Sequence, residues 1–196
     1  MTNRTMGFGL VAGLALALAA CSGEGGEAAA SADGVADKRS ETFAQVLADD
    51  PSLSIAAAAL ERTGLMGALD GKANTTIFIP TNAAFGALGD QGGKLLEDPQ
   101  NSAITAAVLR NHMVPGILDI EAINKAVTDA GGVAAIANFG GEVLTVTSEA
   151  GGLVVRNASG QKAVVPGKVT IVGNGAIIAI DAVLVDPALL PAPPKS

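Results

Sequence analysis

Hydrophobic and polar positions follow a helical period in the first half of the chain. Apolar residues there recur every three or four positions behind residues able to cap a helix, as in the capping-box pair Thr42 and Gln45. Predicted helices begin at Thr42, at Ser52 as the cap of Leu53–Thr63, at Asn101 or Ser102, and at Asp119. Gly64 is predicted to end the second of them. None of these helices is expected to be long.

The second half of the chain changes to a period of two. Residues 143–147 alternate between the two faces of a predicted strand, and residues 149–152 supply a turn into a second strand at Leu153–Val155. Further strands are predicted at Ala163–Val165, Lys168–Val172 and Ala176–Val185. Helices followed by strands predict an α+β domain with an antiparallel sheet.

Composition supports a packed domain and excludes one class of partner. Hydrophobic residues make up 49% of the 196 residues and charged residues 16%, which is unlike a disordered chain. The net charge is −7, and the basic residues are scattered apart from one adjacent pair, Lys38-Arg39. Tyr and Trp are absent, so few rings can stack on bases. We therefore expect no nucleic-acid partner.

The N-terminus predicts export and lipid attachment. Arg4 precedes the uncharged run 7–20, which is too short to span a bilayer as a helix and is typical of a signal peptide. The run ends in Leu18-Ala19-Ala20-Cys21, which resembles the lipobox of bacterial lipoproteins. The resemblance implies cleavage before Cys21 and acylation of its thiol, so that the membrane is a partner; a buried structural cysteine is the alternative. Ser22 follows where many lipoproteins of Gram-negative hosts carry an inner-membrane retention aspartate, which favours the outer membrane in such a host.

These patterns divide the chain into four parts. We assign residues 1–20 to the signal peptide and residues 21–37 to a flexible tether of small, acidic and glycine residues. Residues 38–187 form the folded domain, and residues 188–196 form a proline-rich tail. The expected location is the cell envelope.

Three segments within the domain resemble the signatures of fasciclin-like domains in both order and spacing. They are Thr76–Phe85, a strand that enters a proline turn and a short helix; Leu109–Gly116, the central histidine motif; and Asn174–Leu184, the closing signature. The resemblance covers about residues 38 to 187. Two positions depart from the family pattern, because Asn111 stands where many members have Tyr and Ile178 stands where His is common.

The resemblance implies a fold and a function. The fold is an antiparallel β-sandwich or wedge, decorated by short helices in its N-terminal half. The function is adhesion or contact with a surface or matrix protein or glycan, without catalysis, cofactor or metal. The motif residues, which we expect to be mostly structural, are Thr76, Phe78, Pro80, Thr81, Asn82, Phe85, His112, Pro115, Gly116, Asn174, Gly175 and Asp181.

Local chemistry assigns structural roles to several of these residues. Pro80 should stop a strand, and Thr81 or Asn82 should accept the free N–H groups of the following helix. Asn174-Gly175 suits a turn with a φ angle above zero. Asp181 interrupts an apolar strand, so its carboxylate should either face solvent or accept neighbouring N–H or hydroxyl groups.

His112 is the only histidine and therefore the first candidate for chemistry. The sequence offers no Gly-x-Ser-x-Gly motif and no second histidine, so it indicates neither a hydrolase triad nor a conventional zinc site. We predict a structural role in which the imidazole ties a helix end to the turn at Pro115-Gly116. The alternative function is a small-molecule-binding or enzymatic periplasmic domain that uses a cleft near His112.

Other candidates are weaker. Asp49-Asp50 and the pair Asp119 and Glu121 offer carboxylates for calcium, but acidic residues at helix ends are usually solvated or favoured by the helix dipole. Gly92-Gly93-Lys94 lacks the rest of a phosphate-binding loop.

Overall fold

A computed structural model of the chain describes residues 35–89, 98–149 and 152–186. Its described helices are α1 (Phe43–Asp49), α2 (Ser54–Arg62), α3 (Leu65–Leu69), α4 (Asn82–Ala87), α5 (Ser102–Asn111) and α6 (Ile120–Asp129). The strands are β1 (Val35–Lys38), β2 (Thr75–Pro80), β3 (Met113–Pro115), β4 (Val133–Ala137), β5 (Val143–Glu149), β6 (Gly152–Arg156), β7 (Lys162–Val165), β8 (Val169–Val172) and β9 (Gly175–Ile180).

The strands form two sheets. One has five strands in the order β1-β8-β9-β2-β3, and the other has four strands in the order β4-β5-β6-β7. All pairs in the four-stranded sheet are antiparallel. In the five-stranded sheet, β1 runs parallel to β8 and β2 runs parallel to β9, while the other two pairs are antiparallel.

The five-stranded sheet is the middle of three layers. On one side, Ile77, Ile79 and Ile177 belong to an apolar cluster with helices α1 to α5. On the other side, Phe78 and Ile178 belong to a second cluster with α6 and the four-stranded sheet. Because successive side chains of a strand point to opposite faces, β2 and β9 are buried at every position.

The fold class is confirmed as α+β, a wedge or sandwich of two sheets with helices on it. The parallel pairs were not predicted, because a parallel neighbour is reached through a long crossover that local turn signals do not show.

Most of the predicted helix starts are confirmed. Thr42 and Gln45 form both hydrogen bonds of a capping box on α1, and Asp119 accepts from the Ala122 N–H at the start of α6. The prediction that Ser52 caps the second helix is wrong. Ser52 instead donates to Asp50, whose carboxylate caps the short 3-10 helix Pro51–Leu53 that precedes α2.

Three differences concern strands. The last predicted strand is shorter than expected and ends at Ile180. Strand β4 was not predicted, because Val133–Ala137 is alanine-rich and carries no polar residue to mark the alternation. Strand β1 includes residues 35–37, which were assigned to the tether, and pairing with β8 places them in the domain.

Several predictions lie outside the described residues. These are the signal peptide, the Cys21 lipid site, the tether before residue 35, the Gly92-Gly93-Lys94 segment and the tail. None of the helices within the described residues has the length and apolar character needed to cross a membrane.

Candidate functional site

The three motif segments meet in the middle of the five-stranded sheet. Strand β2 of the first segment lies between β3 of the second and β9 of the third. The Phe78 N–H donates to the His112 carbonyl at 2.9 Å, which extends the β2–β3 pairing to the histidine. Motifs far apart in sequence therefore form one continuous structural unit.

His112 is at the C-terminal end of α5 and is completely buried. Its Nδ1 lies 2.7 Å from the Val108 carbonyl, and its Nε2 accepts a hydrogen bond of 2.9 Å from the Leu184 N–H. A backbone N–H only donates, so Nε2 carries no proton and Nδ1 donates to Val108. The imidazole is neutral and both of its nitrogens are used.

The predicted partner of His112 is therefore wrong. The imidazole ties α5 to the C-terminal segment at Leu184, 72 residues further along the chain, and not to the Pro115-Gly116 turn. Sequence distance concealed this contact, because nothing local in 109–116 indicates which distant N–H will reach the ring.

Burial controls the protonation of His112. Desolvation lowers the pKa of His112 from its ordinary value of 6.5 to about 4, although the hydrogen bond to the Val108 carbonyl acts in the opposite direction. The cavity beside the ring has a volume of about 10 Å³ and is lined mainly by apolar groups. That volume holds at most one water molecule, so no substrate can reach the ring in this arrangement.

The turn at Pro115-Gly116 is held by Thr76 of β2 and not by His112. Its buried hydroxyl donates to the Gly116 carbonyl and accepts from the Leu118 N–H, both at 2.8 Å. The Gly116 N–H donates in turn to the Asn74 carbonyl, and Gly116 has a φ of 95°, which favours glycine. The turn after Pro115 is thus held by the first motif.

Asn174 and Gly175 hold the start of β9 against the helices. The Asn174 amide donates to the Leu69 and Gly71 carbonyls, each at 2.7 Å. The φ expectation for Gly175 is wrong, because Gly175 is not among the described glycines with positive φ. Glycine is required there by space, since an added Cβ would lie 1.9 Å from the Thr75 carbonyl oxygen and 2.5 Å from Cζ of Phe43.

The strand-to-helix corner of the first motif has the predicted form. Pro80 is the last residue of β2, and the Thr81 side chain caps α4 by accepting from the Ala84 N–H. Asn82 bonds elsewhere: its Oδ1 accepts from the Ile55 N–H, and its amide donates to Ser54 and Pro51 near the start of α2. Phe78 and Phe85 are buried in the two apolar clusters.

Asp181 links the two sheets. Its carboxylate accepts from the Val164 N–H at 2.6 Å, and its own N–H donates to the Val164 carbonyl at 3.1 Å. Asp181 is also exposed, so it combines the two expected environments: it faces solvent and its carboxylate accepts a neighbouring N–H group. These bonds turn the chain from β9 towards β7 and end the strand at Ile180.

The two positions that depart from the family pattern lie in different surroundings. Ile178 is completely buried in the cluster between the sheets. The Asn111 side chain lies against Gly140, where an added Cβ would be 1.6 Å from Oδ1, and the Asn111 carbonyl accepts from the Asn138 amide at 2.9 Å. Neither position offers a free titratable group.

The acidic candidates have structural partners. Asp50 accepts from Ser52 and pairs with Lys168; although partial burial raises the pKa of Asp50, these hydrogen bonds outweigh it and hold the pKa below its ordinary value. Asp119 caps α6. Within the three described stretches, no group of three or more His, Cys, Asp or Glu side chains could hold a metal ion.

One open groove of about 610 Å³ lies between β1 and α6, away from His112. Arg39 lines it from the end of β1, and Asp119, Glu121 and Asn124 line it from the start of α6. The Arg39 guanidinium is already paired with Asp37 at 2.6 Å. The groove was not predicted, because residues 80 positions apart form its two walls.

Large exposed apolar side chains occur near the four-stranded sheet. Val133 of β4 is 52% exposed and Val143 of β5 is 48% exposed, while Phe139 in the turn between these strands is 46% exposed. The register pairs Val143 with Ala137 and Val133 with Thr147, which places these side chains on the outer face of the sheet. Sequence reasoning predicted the period of β5 but assigned no significance to its exposed positions.

Comparisons with known proteins agree with this architecture. The family model described as "Fasciclin domain" matches residues 51–186. The chain is 33% identical over 146 residues to Protein sll1483 of Synechocystis sp. strain PCC 6803. The aligned residues make up 74% of this chain and 74% of that protein. It also resembles the structure of a FAS1 domain pair from the insect cell adhesion molecule Fasciclin I, with a TM-score of 0.68 and 19% identity. That match covers 78% of this chain and 53% of the solved chain, so the chain spans about half the length of the domain pair.

Proposed function

Because this chain belongs to the fasciclin domain family, we propose that it is a lipid-anchored envelope protein whose single domain binds a surface or matrix protein or glycan. The family consists generally of adhesion-type domains without enzymatic activity. The observation that carries the proposal is the state of the motif histidine, which is buried and bonded at both nitrogens. The histidine therefore stabilises the fold, and a partner would bind to the exterior surface of the domain.

The alternative, a small-molecule or catalytic site near His112, has less support. Catalysis by histidine requires a ring nitrogen within reach of the substrate and a pKa near the working pH. Here the adjoining cavity is only about 10 Å³ and the pKa of His112 is lowered to about 4. We therefore propose that the domain is not an enzyme.

Attachment through Cys21 is the second part of the proposal. It is supported by the pattern Leu18-Ala19-Ala20-Cys21 after an uncharged run and by the small and acidic residues that follow Cys21 in the sequence. One acyl chain alone binds reversibly, so stable attachment requires the two or more chains that bacterial lipoproteins carry.

Membrane fractionation tests the anchor. The full chain should remain in membrane pellets after a carbonate wash, and Cys21→Ser should move it to the soluble fraction. Ser22→Ala is the matched control and should remain in the pellet. A Cys21→Ser protein that stays in washed pellets, or an unmodified thiol on an uncut chain by mass spectrometry, would disprove the lipid attachment.

Binding is tested separately with soluble protein. The Cys21→Ser chain, immobilised at high density, should retain a component of the envelope or matrix of its host, and excess free protein should compete for it. A blank result at high micromolar protein concentration would leave the adhesive function without support. Loss of binding in Phe139→Ala, with binding kept in Ile117→Ala, would place the contact at the four-stranded sheet.

A further inference from the structure

The C-terminal segment of the described domain, residues 182–186, follows β9 without regular secondary structure. Its three central side chains are nevertheless buried. Val183 and Val185 belong to the apolar cluster on the helix side of the five-stranded sheet, and Leu184 belongs to the cluster between the two sheets. The C-terminal segment therefore packs on both apolar clusters, although it belongs to neither sheet.

A backbone N–H group ties the C-terminal segment to α5. Before the segment, Asp181 is bonded to Val164 through both its N–H and its carboxylate. Within the segment, the Val185 N–H donates to the Val183 carbonyl, so that bond does not reach another element. The Leu184 N–H does reach one, because it donates to Nε2 of His112 at 2.9 Å. The imidazole is thus an acceptor that holds the segment in place.

The bond between Leu184 and His112 requires a neutral imidazole. Nδ1 already carries a proton, which it donates to the Val108 carbonyl at 2.7 Å, so a second proton must go to Nε2. An imidazolium has two N–H donors and no acceptor. The Leu184 N–H would then face another N–H group in a buried place, which is costly because both donors lose their acceptor. Protonation of the ring and the bond to Leu184 therefore exclude each other.

The surroundings of the ring do little to stabilise a positive charge. Apart from Thr105, the cavity beside the ring is lined by apolar residues of α2, β2, α4, α5 and the C-terminal segment. Strand β2 and helix α4 carry no charged residue. The charged residues of the other elements, and those beside the segment, are Glu61, Arg62, Arg110, Asp181 and Asp186. All of these except the half-buried Asp186 are exposed, and burial is the main influence on the protonation of His112. A charged ring therefore gains most from contact with water.

We propose that protonation of His112 releases the C-terminal segment from α5 while the two sheets stay folded, so that the histidine is a pH-sensitive latch. Burial of Val183, Leu184 and Val185 keeps the segment closed at neutral pH. The segment lies outside both sheets, so it can open locally. Opening removes Val183 from the wall of the cavity and admits water to the ring. The latch does not depend on the proposed binding function or on acylation at Cys21.

Proton linkage gives the direction and size of the effect. The pKa of His112 is lowered to about 4 in the closed domain, whereas a ring in water has the ordinary value of 6.5. The open form therefore binds the proton more readily, and acid favours opening. The ratio of open to closed molecules should rise about 100-fold between pH 7 and pH 4.

Amide hydrogen exchange of the full chain, followed by NMR, tests the release. The protection factor compares the observed exchange rate with that of an unfolded peptide at the same pH, so it removes the intrinsic effect of pH. The protection factor of the Leu184 N–H should fall about 100-fold between pH 7 and pH 4. The Val146 N–H, in a central strand of the four-stranded sheet, reports global unfolding and should stay at least about tenfold more protected than Leu184 at each pH.

Urea at about 1 M separates local release from global unfolding. Local opening exposes little surface, so exchange at Leu184 should hardly change with urea. Exchange at Val146 requires global unfolding and should become faster.

Two variants identify the titrating group. His112→Gln removes the imidazole, while its amide oxygen can accept from the Leu184 N–H; the protection factor of Leu184 should then change less than about threefold between pH 7 and pH 4. Asp181→Asn is the matched control, because it removes the carboxylate next to the C-terminal segment and keeps an oxygen for the Val164 N–H. It should retain the fall of about 100-fold.

Three results would overturn the proposal. A Leu184 protection factor that is the same at pH 7 and pH 4 shows that the ring does not control the segment. Equal protection of Leu184 and Val146, with equal dependence on urea, shows that the segment opens only when the whole domain unfolds. A fall that persists in His112→Gln, or disappears in Asp181→Asn, assigns the pH dependence to a carboxylate. The first two results come from the unsubstituted chain, so they do not depend on the folding of either variant.

Discussion

The five-stranded sheet is covered on both faces, whereas the four-stranded sheet is covered on one. Every residue of β2 and β9 is buried, with helices on one side and the second sheet on the other. Along β5 the buried residues Leu144 and Val146 alternate with more exposed ones. The three family motifs lie in or beside the first sheet, and the exposed apolar side chains of β4 and β5 lie on the second.

This difference separates the residues that stabilise the fold from the exposed residues that a partner could contact. Residues such as His112, Thr76 and Asn174 are fully engaged in hydrogen bonds that join distant parts of the chain. Substitution there should affect stability first. Substitution on the outer face of the four-stranded sheet should leave stability nearly unchanged and affect binding, if that face meets partners.

The largest expected effect is at Gly175. Gly175→Ala should lower the free energy of unfolding by about 3 kcal/mol or prevent folding, because its Cβ would collide with the Thr75 backbone and the Phe43 ring. Gly86→Ala is the matched control in α4, where nothing lies within 4 Å of an added Cβ and φ is not positive. It should raise stability by up to about 1 kcal/mol. Equal denaturation midpoints for the two variants in urea would contradict the packing argument.

His112 should make the stability of the protein pH-dependent. Since the folded-state pKa of about 4 is below the ordinary 6.5, the unfolded chain binds the proton more readily, and stability falls as the pH drops from 6.5 to 4. The loss through this residue is on the order of 3 kcal/mol. It is measured by urea unfolding at a series of pH values.

His112→Gln is the control for this pH dependence, because it removes the titrating group and keeps every carboxylate. The wild type should be more stable than this variant by about 2 to 3 kcal/mol above pH 7, since Gln cannot satisfy both Val108 and Leu184. The advantage should largely disappear near pH 4. A difference that is the same at both pH values would show that the ring does not titrate as described.

Asn174→Ala should have a smaller effect, a loss of about 2 kcal/mol. It removes two hydrogen bonds of 2.7 Å to the Leu69 and Gly71 carbonyls and frees the start of β9 from α3. Asn124→Ala, at an exposed position of α6, should change stability by no more than about 0.5 kcal/mol. Thermal unfolding followed by circular dichroism distinguishes the two, and equal melting temperatures would refute the role of Asn174.

The smallest effect is expected on the outer face of the four-stranded sheet. Val143→Thr should change the free energy of unfolding by less than about 0.5 kcal/mol, because the side chain is 48% exposed. Val146→Thr, on the opposite face of the same strand and completely buried, should cost about 2 kcal/mol. If both substitutions cost the same, the outer face would be as tightly packed as the inner one.

Local patterns predicted local structure well. The capping box of Thr42 and Gln45, the Asp119 cap and the alternation of β5 were readable because each depends on residues a few positions apart. Strand β4 was missed, since Ala134, Ala135 and Ala137 give no contrast between faces. The sequence did not show which distant residue contacts His112, because the Leu184 N–H reaches the imidazole only after the two sheets have assembled.

The sequence by itself determined the α+β class, most of the helix starts, and the three motifs that mark the family, because these depend on spacing and residue type. Only the tertiary structure decided that His112 is buried and neutral, that Gly175 is required by close packing, and that apolar side chains on the outer face of the four-stranded sheet are exposed. Burial and steric contact arise between residues far apart in the chain, and no local period encodes them.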